Sequence, residues 1–547
     1  MATTQDQLLR DFLEPINIDM ETCHALTTSF FDCFKALAAN PTDQFLPTPI
    51  SDAILRPIAD TGCGTNLAID IGGTNLRVGF IELLGKHQGG VKTNGTSGTS
   101  GINGTNGTNG TNGIYGTNGT NGAAHINGTL HAPPARIQRL FEKSWPIDHQ
   151  LKDNNAEALF RWIGKHIAEV VSDASEELAL SKSEPLPLGV TFSFPSLQHS
   201  LAEATVTSMG KGFTIAPDTD LGASLEKGYA ESKPDHLPEI KVTAISNDSV
   251  STLVSFIYNF GGTEHQRASM GLILGTGSNA TVPLRLSLLH QSKWPRNINV
   301  LDGESFSNVK IAVNTEWSIN GTAPPMRKLG LITPWDDQLS AQTEIPGFQP
   351  LEYMSSGRYL GELGRIMLVD YMVNTLSIPR DTLPSTLLER HGLSTTFLSH
   401  FKPLEHGKLL ASLRTEFPES TAQSGFLWTE HLAEALYKIA KAIEVRAAGI
   451  IAAGTLALLT LSEELPATPT EAAATTKELG VGYTGGCIMH FQDYLEDCQC
   501  FIDGLMEKRF GQTGACRVVL SPCHDGGITG AGILVSAASV STKTEAT

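Results

Sequence analysis

Three short turns in this sequence share one chemical make-up: an apolar run ends, small residues follow, and a hydroxyl or an acid stands beside them. They are Asp70-Ile-Gly-Gly-Thr-Asn-Leu-Arg77, Gly275-Thr-Gly-Ser-Asn-Ala280 and His524-Asp-Gly-Gly-Ile-Thr-Gly530. Glycine lets a backbone come close to a phosphate oxygen, and the exposed N–H groups of such a turn donate to it. A carboxylate like Asp70 beside the turn can hold a magnesium-bound water. Any one of the three is also what an ordinary strand-to-helix connection looks like. All three together point to phosphate chemistry.

The elements that must position these turns are short strands alternating with helices. NLAIDIGG and RVGFIEL read as two β-rich runs joined by a glycine turn, and LPLGVTFSF, KVTAISND and MGLILGTG as further strands. AEALFRWIGKHIAEVV has apolar residues at helical spacing, and the C-terminal third is mostly helical. Alternation of this kind indicates an α/β fold. Residues 92–129 repeat Asn-Gly-Thr, with almost nothing apolar to bury, and read as a disordered insertion between two β runs. Its N-glycosylation sequons carry little meaning without a secretory signal.

At 547 residues the chain is long enough for two or three domains. A formal net charge of −18 argues against nucleic acid or anionic membrane as a main partner. Eight scattered cysteines, with no C-x-x-C pair, suggest a reduced, intracellular protein. The first twenty residues contain acids and no apolar core, so no signal peptide is expected. Ala447 to Leu459, the most apolar stretch, is short for a bilayer span and reads as part of an amphipathic helix. His199 and His490 have no partner at ligand spacing, and no metal site built only from protein ligands is expected.

The ordered set of motifs resembles the eukaryotic hexokinase family. LAIDIGGTNLRV is similar to its first phosphate motif and GLILGTGSNA to its second; LGVTFSFPSLQ followed by GKGF is similar to its sugar signature. SNDSVSTL, VNTEWS and LEYMSSGRYLGEL follow in family order. The resemblance implies the two-lobed hexokinase, actin and Hsp70 ATPase fold with a central cleft. Its small lobe would span 66–246 and its large lobe 247–521; residues 1–65 would form a helical segment on the large lobe, and 522–547 a helix returning to the small one. It implies ATP, bound with Mg2+, as phosphoryl donor and glucose or another hexose as acceptor at the 6-hydroxyl, in carbohydrate metabolism and glycolysis. Asp248 would be the base, with Lys211 also in the catalytic set. Ser193, Lys211, Asn247, Asp248, Asn279, Glu316 and Glu352 would hold the sugar. Asp70, Gly72, Gly73, Thr74, Asn75, Arg77, Gly275, Thr276, Gly277, Asp525 and Gly526 would line the nucleotide site.

These residue types suit a sugar without the family, because amides and carboxylates can each pair with two neighbouring hydroxyls. Taken singly, each has a plainer reading. Ser193 can end a strand, Asn247-Asp248 can cap a helix, and Glu316 and Glu352 can be surface acids.

The sequence departs from the family in two places. The sugar loop has Gly210 where a threonine is usual, which removes a hydroxyl and loosens the loop. The nucleotide segments read Thr484-Gly485-Gly486, followed by Cys487, Ile488 and Gln492, and Asp525-Gly526-Gly527-Ile528. If position 528 needs a positive φ, isoleucine there would clash. An alternative follows from these departures: a catalytically impaired regulator or sugar sensor with a protein partner. The expected location is cytoplasmic or nuclear, without a membrane span.

Overall fold

The computed structural model describes residues 4–85, 136–148, 151, 156–207, 215–216, 218–260, 265–419, 425–466, 478–511, 516–540 and 542–545. The Asn-Gly-Thr tract, Gly210 and Lys211 lie outside the described residues.

Two large sheets organise the chain. The smaller has five strands in the order Ile137–Pro146, Asn75–Leu84, Cys63–Ile71, Leu186–Phe192 and Ile240–Ser246. Its first three strands pair antiparallel and its last three parallel. Residues 66–71 are buried without a break because helices cover both faces. Leu67, Ile69 and Ile71 share a core with Ile163 and Ile167 of the Ala156–Ala174 helix, while Ala68 packs with Ile528 and Ala531 of the Gly526–Val540 helix. That last helix thus returns across the chain to the smaller sheet. Its approach is close: a Cβ on Gly189 would lie 2.1 Å from the Ala531 carbonyl oxygen.

The larger sheet runs Arg517–Pro522, Glu478–Thr484, Gln266–Leu274, Ser278–Arg285, Lys310–Asn314, Leu46–Ser51, Asn297–Val300, Thr542–Glu545. The 1–65 segment, expected to be helical, therefore also supplies an interior strand, Leu46–Ser51. Pro47 and Pro49 disguised it, since proline removes a ladder donor. The pairing with Lys310–Asn314 shifts register between Pro47 and Ser51.

Helix Met20–Ala39 packs on the large core through Cys23, Leu26, Phe30, Phe34 and Ala38, spaced three or four residues apart. Asp19 caps it by accepting from the Thr22 N–H at 2.7 Å. The stretch Ala447–Leu459 belongs to a 32-residue helix, Glu430–Leu461, long and apolar enough by composition to cross a membrane. All of Ala447–Leu459 is buried inside the large core, so this half is apolar on every side and not amphipathic as expected.

One turn of that helix carries a crowded ion cluster. Lys441 Nζ donates to Glu444 at 2.7 Å, Asp493 at 2.8 Å and Asp497 at 2.6 Å. Glu444 is fully buried, and its Oε1 has no hydrogen-bond partner. Burial, against the pull of Lys441, raises its pKa to about 8. A raised folded-state pKa means the contribution to stability is complete below the ordinary glutamate value and is lost as pH climbs through about 8. Glu444→Gln should therefore melt higher than the parent at pH 9, by about 2 kcal/mol of stability, and the gap should narrow toward pH 5. Thermal melts across that range would show it; a variant less stable at pH 9 contradicts the reading.

Candidate active site

Strand ends and helix starts deliver the polar side chains. Strand Ile240–Ser246 ends at Asn247, which caps helix Asp248–Asn259; its Oδ1 accepts from the Ser249 N–H at 2.9 Å. Both readings of this pair meet here. Asn247 is a helix cap, and the same Oδ1 also accepts from Asn279 Nδ2 at 3.3 Å. Asp248, half-buried, takes the Ser249 N–H on Oδ1 at 2.8 Å.

Asn279 is the second residue of strand Ser278–Arg285 and lies beside the end of strand Lys310–Asn314. Its Nδ2 donates to Asn314 Oδ1 at 2.8 Å and to Glu316 Oε1 at 3.3 Å. Asn314 Nδ2 in turn donates to Glu316 Oε1 at 2.8 Å. Glu316 lies just past the strand with φ 44°, a left-handed conformation that costs a non-glycine residue energy. Gln44 Nε2 holds its carbonyl at 2.9 Å, and the next residue, Trp317, is fully buried with Nε1 on Ser278 Oγ at 3.0 Å. Glu352, on helix Pro350–Ser355, accepts the Ser278 N–H at 3.0 Å. Glu316 and Glu352 are each 8% exposed, which excludes the reading as solvated surface acids. Ser193 does follow the end of its strand, donating its N–H to the Ile71 carbonyl at 3.1 Å, and is half-buried.

Asn314 went unnoticed as a site residue. The signal was available in Asn314-Thr-Glu316, an amide two positions before an acid, but nothing in the sequence shows that a neighbouring strand brings Asn279 alongside.

A cavity of about 360 Å³ lies between the two sheets. Asp70, Gly72, Thr74, Asn75 and Arg77 line it from one side, Asp525 and Gly526 from the other, and Ser193 and Asp248 are also in its lining. Thr252, Ile273, Thr484 and Gly527 complete the wall. Gly73, Gly275, Thr276 and Gly277 are not part of that wall. The loop 275–277 is fixed from behind: the Gly357 and Arg358 N–H groups donate to the carbonyls of Gly275 and Thr276 at 2.8 and 3.2 Å. Thr276 is exposed. Gly485 has φ 124°, and a Cβ there would lie 2.3 Å from the Leu274 backbone, so only glycine fits that turn.

Arg77 spans the cavity. Its guanidinium donates to Asp70 at 2.6 Å and to Asp525 at 2.7 Å. Arg139, which the sequence reading passed over, pairs with Asp525 at 2.9 Å. Burial pushes the Asp70 carboxyl up against the opposing pull of Arg77, and the Asp525 charge adds to the rise. Hydroxyls tie the floor together: Thr191 meets Ser251 at 2.6 Å and donates to the Gly527 carbonyl at 2.8 Å.

The condition attached to Ile528 is not met. It lies within helix Gly526–Val540, fully buried in the core, and the left-handed residue is Asp525, with φ 57°. Isoleucine there is a packing residue. Gly527 is the constrained position, because a Cβ would come 2.5 Å from Asp70 Oδ2. Gly527→Ser should cost about 1–3 kcal/mol and lower the melting temperature. A variant melting with the parent would mean that Asp70 moves aside freely.

Among the described residues no group of three or more histidine, cysteine or carboxylate side chains is arranged to hold a metal alone. Asp70, the hydroxyls and the backbone donors of the cavity do fit a nucleotide phosphate with its own ion.

Two sequence models of the hexokinase family match the chain, one over residues 8–106 and 117–258 and the other over residues 269–537. The chain belongs to the hexokinase family. Family membership makes it a hexose phosphotransferase by class, its reaction an ATP-dependent phosphoryl transfer. Hexokinase-1 of Schizosaccharomyces pombe is 27% identical over 542 residues, spanning 97% of this chain and 90% of that one. Hexokinase-1 of Spinacia oleracea is 29% identical over 399 residues, spanning 71% and 72%. A Schistosoma mansoni hexokinase solved with glucose shares the two-lobed fold with a TM-score of 0.70, at 22% identity, over 98% of this chain and 100% of that one.

Proposed function

We propose that this hexokinase-family chain phosphorylates the 6-hydroxyl of a hexose, glucose first, with Asp248 as base. What carries the reading is the interlocked buried set Asn247, Asn279, Asn314 and Glu316, set beside Asp248 where the phosphate cavity opens. Such a set offers paired donors and acceptors whose hydrogen bonds to one another a sugar can replace. Glu316 and Glu352 would each bridge hydroxyls, Ser193 would add a contact, and the resemblance names Lys211 as a further one. Asp248 would take the proton of the attacking hydroxyl as its oxygen bonds to phosphorus. Thr74, Asn75 and Gly526 would donate to phosphates, Gly72 would let the turn come close to them, and Asp70 would hold a water of the magnesium ion. ATP supplies the transferred phosphoryl group, and magnesium offsets the charge on its oxygens. Residues 66–246 with 522–547 would close on 247–521 and exclude water from the reaction.

A second reading, a sugar-binding regulator with little turnover, is favoured by Arg77, which ties Asp70 to Asp525 across the phosphate cavity. Calorimetric titration with glucose tests what both readings share. Saturable heat is expected, and its absence at about 50 mM sugar would remove both.

A further inference from the structure

A second cavity lies in the large lobe, away from the cleft and sharing no lining residue with the phosphate cavity. Its volume is about 440 Å³, within the range of small-molecule sites. Five short elements build it: helix Pro334–Ala341, the end of helix Gly357–Asp370, a π-helical turn at Tyr371–Thr375, the 3-10 turn Arg380–Thr382 and helix Ser385–Leu388. A π-helical turn breaks regular helix geometry and is commonly found where a ligand is held.

The chemistry of the wall is unusual for so acidic a chain. Three guanidinium groups line it, those of Arg365, Arg380 and Arg390. Arg365 is 5% exposed and fixed, donating to both oxygens of Glu362 at 2.6 and 2.8 Å and to the Leu387 carbonyl at 3.2 Å. Asp370 is the one carboxylate in the wall, and both its oxygens already accept, from Trp335 at 2.7 Å and Asn374 at 2.5 Å. Arg380 and Arg390 differ. Each is exposed and makes no side-chain hydrogen bond or salt bridge among the described residues; Arg390 acts through its charge on Glu344, whose carboxyl it helps hold down. The side-chain amides of Gln338 and Gln342 likewise have no hydrogen-bond partner among the described residues and stand on the same wall.

We propose that this cavity binds a small phosphate-bearing molecule. Arg380 and Arg390 hold its phosphate through paired N–H donors, the geometry in which guanidinium outperforms ammonium. Gln338, Gln342 and the side-chain oxygen of Asn374, which has no partner among the described residues, meet hydroxyls or water beside it. The phosphate comes either from the free ion or from an ester of a small polyol.

The test is calorimetric titration of the full chain with inorganic phosphate and with glycerol 3-phosphate, glycerol alone serving as the blank. The double variant Arg380→Gln, Arg390→Gln is titrated alongside. Because neither exposed arginine side chain makes a hydrogen bond or salt bridge among the described residues, and Arg390 acts on Glu344 only through its charge, the variant should melt close to the parent. One equivalent of a phosphate-bearing probe should bind the parent, and the variant should bind it about tenfold or more weakly. Tighter binding of glycerol 3-phosphate than of phosphate identifies the ester as the natural class; equal binding identifies the ion. No heat from either probe at about 10 mM overturns the proposal. Equal affinity in parent and variant overturns it too, since the anion then sits elsewhere, the cleft included.

Discussion

Asp248→Asn should leave glucose binding nearly unchanged while lowering glucose-dependent ADP release by about 10²- to 10⁴-fold, the span typical for loss of a general base. The separation follows from position. Asp248 is the first residue of its helix and lines the cavity, whereas the amide and carboxylate set is held together by Asn247, Asn279, Asn314 and Glu316 without it. The amide keeps the shape and the Ser249 N–H contact, so folding is not expected to suffer. Calorimetry and a coupled ADP assay on one preparation separate the two quantities. Loss of sugar binding together with turnover would make Asp248 a binding residue only.

Glu316→Ala should act in the opposite way, on binding first. The change removes a buried acceptor of two amide donors and strands Asn314 Nδ2, while Asn279 Nδ2 keeps Asn314 Oδ1 and Asn247 Oδ1 as acceptors. An unpaired buried polar group costs about 1–3 kcal/mol, and the sugar loses a charged partner as well, so glucose affinity should fall roughly a hundredfold. Alanine also removes the acceptor that Asn314 needs, so Glu316→Gln, which keeps that acceptor and loses only the charge, serves as the companion. Its Oε1 can still accept from both amides, and it should keep the parent melting temperature while losing about tenfold in affinity. Alanine and glutamine variants that bind glucose like the parent would remove Glu316 from the sugar site.

Much of this site could be read from the chain because glycine turns and strand ends are local. Asp70-Ile-Gly-Gly and Asp525-Gly-Gly each place their own backbone donors, and both turns line one cavity. What resisted reading depends on which strands become neighbours. Asn314 gains its role from Asn279, thirty-five positions earlier, and Arg139 from Asp525, near the other end of the chain. The burial of Glu316 and Glu352 was equally hidden, since glutamate usually lies at the surface. Whether Ile528 would clash stayed open in the sequence because the local pattern locates a left-handed residue only to within a few positions; the positive φ falls on Asp525, and the helix begins one residue later. Leu46–Ser51 was missed for the reverse reason: two prolines spoke against a strand that tertiary pairing supports. The apolar half of helix Glu430–Leu461 was sized too short and given a polar face, because periodicity cannot reveal that neighbours surround a helix on all sides.

The central claim is phosphoryl transfer, and the Arg77 bridge between Asp70 and Asp525 is the feature that could silence it. Purified protein incubated with Mg-ATP should release ADP only when glucose is present, with hexose phosphate accumulating mole for mole. Saturable glucose binding by calorimetry, with no ADP above the glucose-free background, would contradict that claim and leave a sugar-binding regulator in its place.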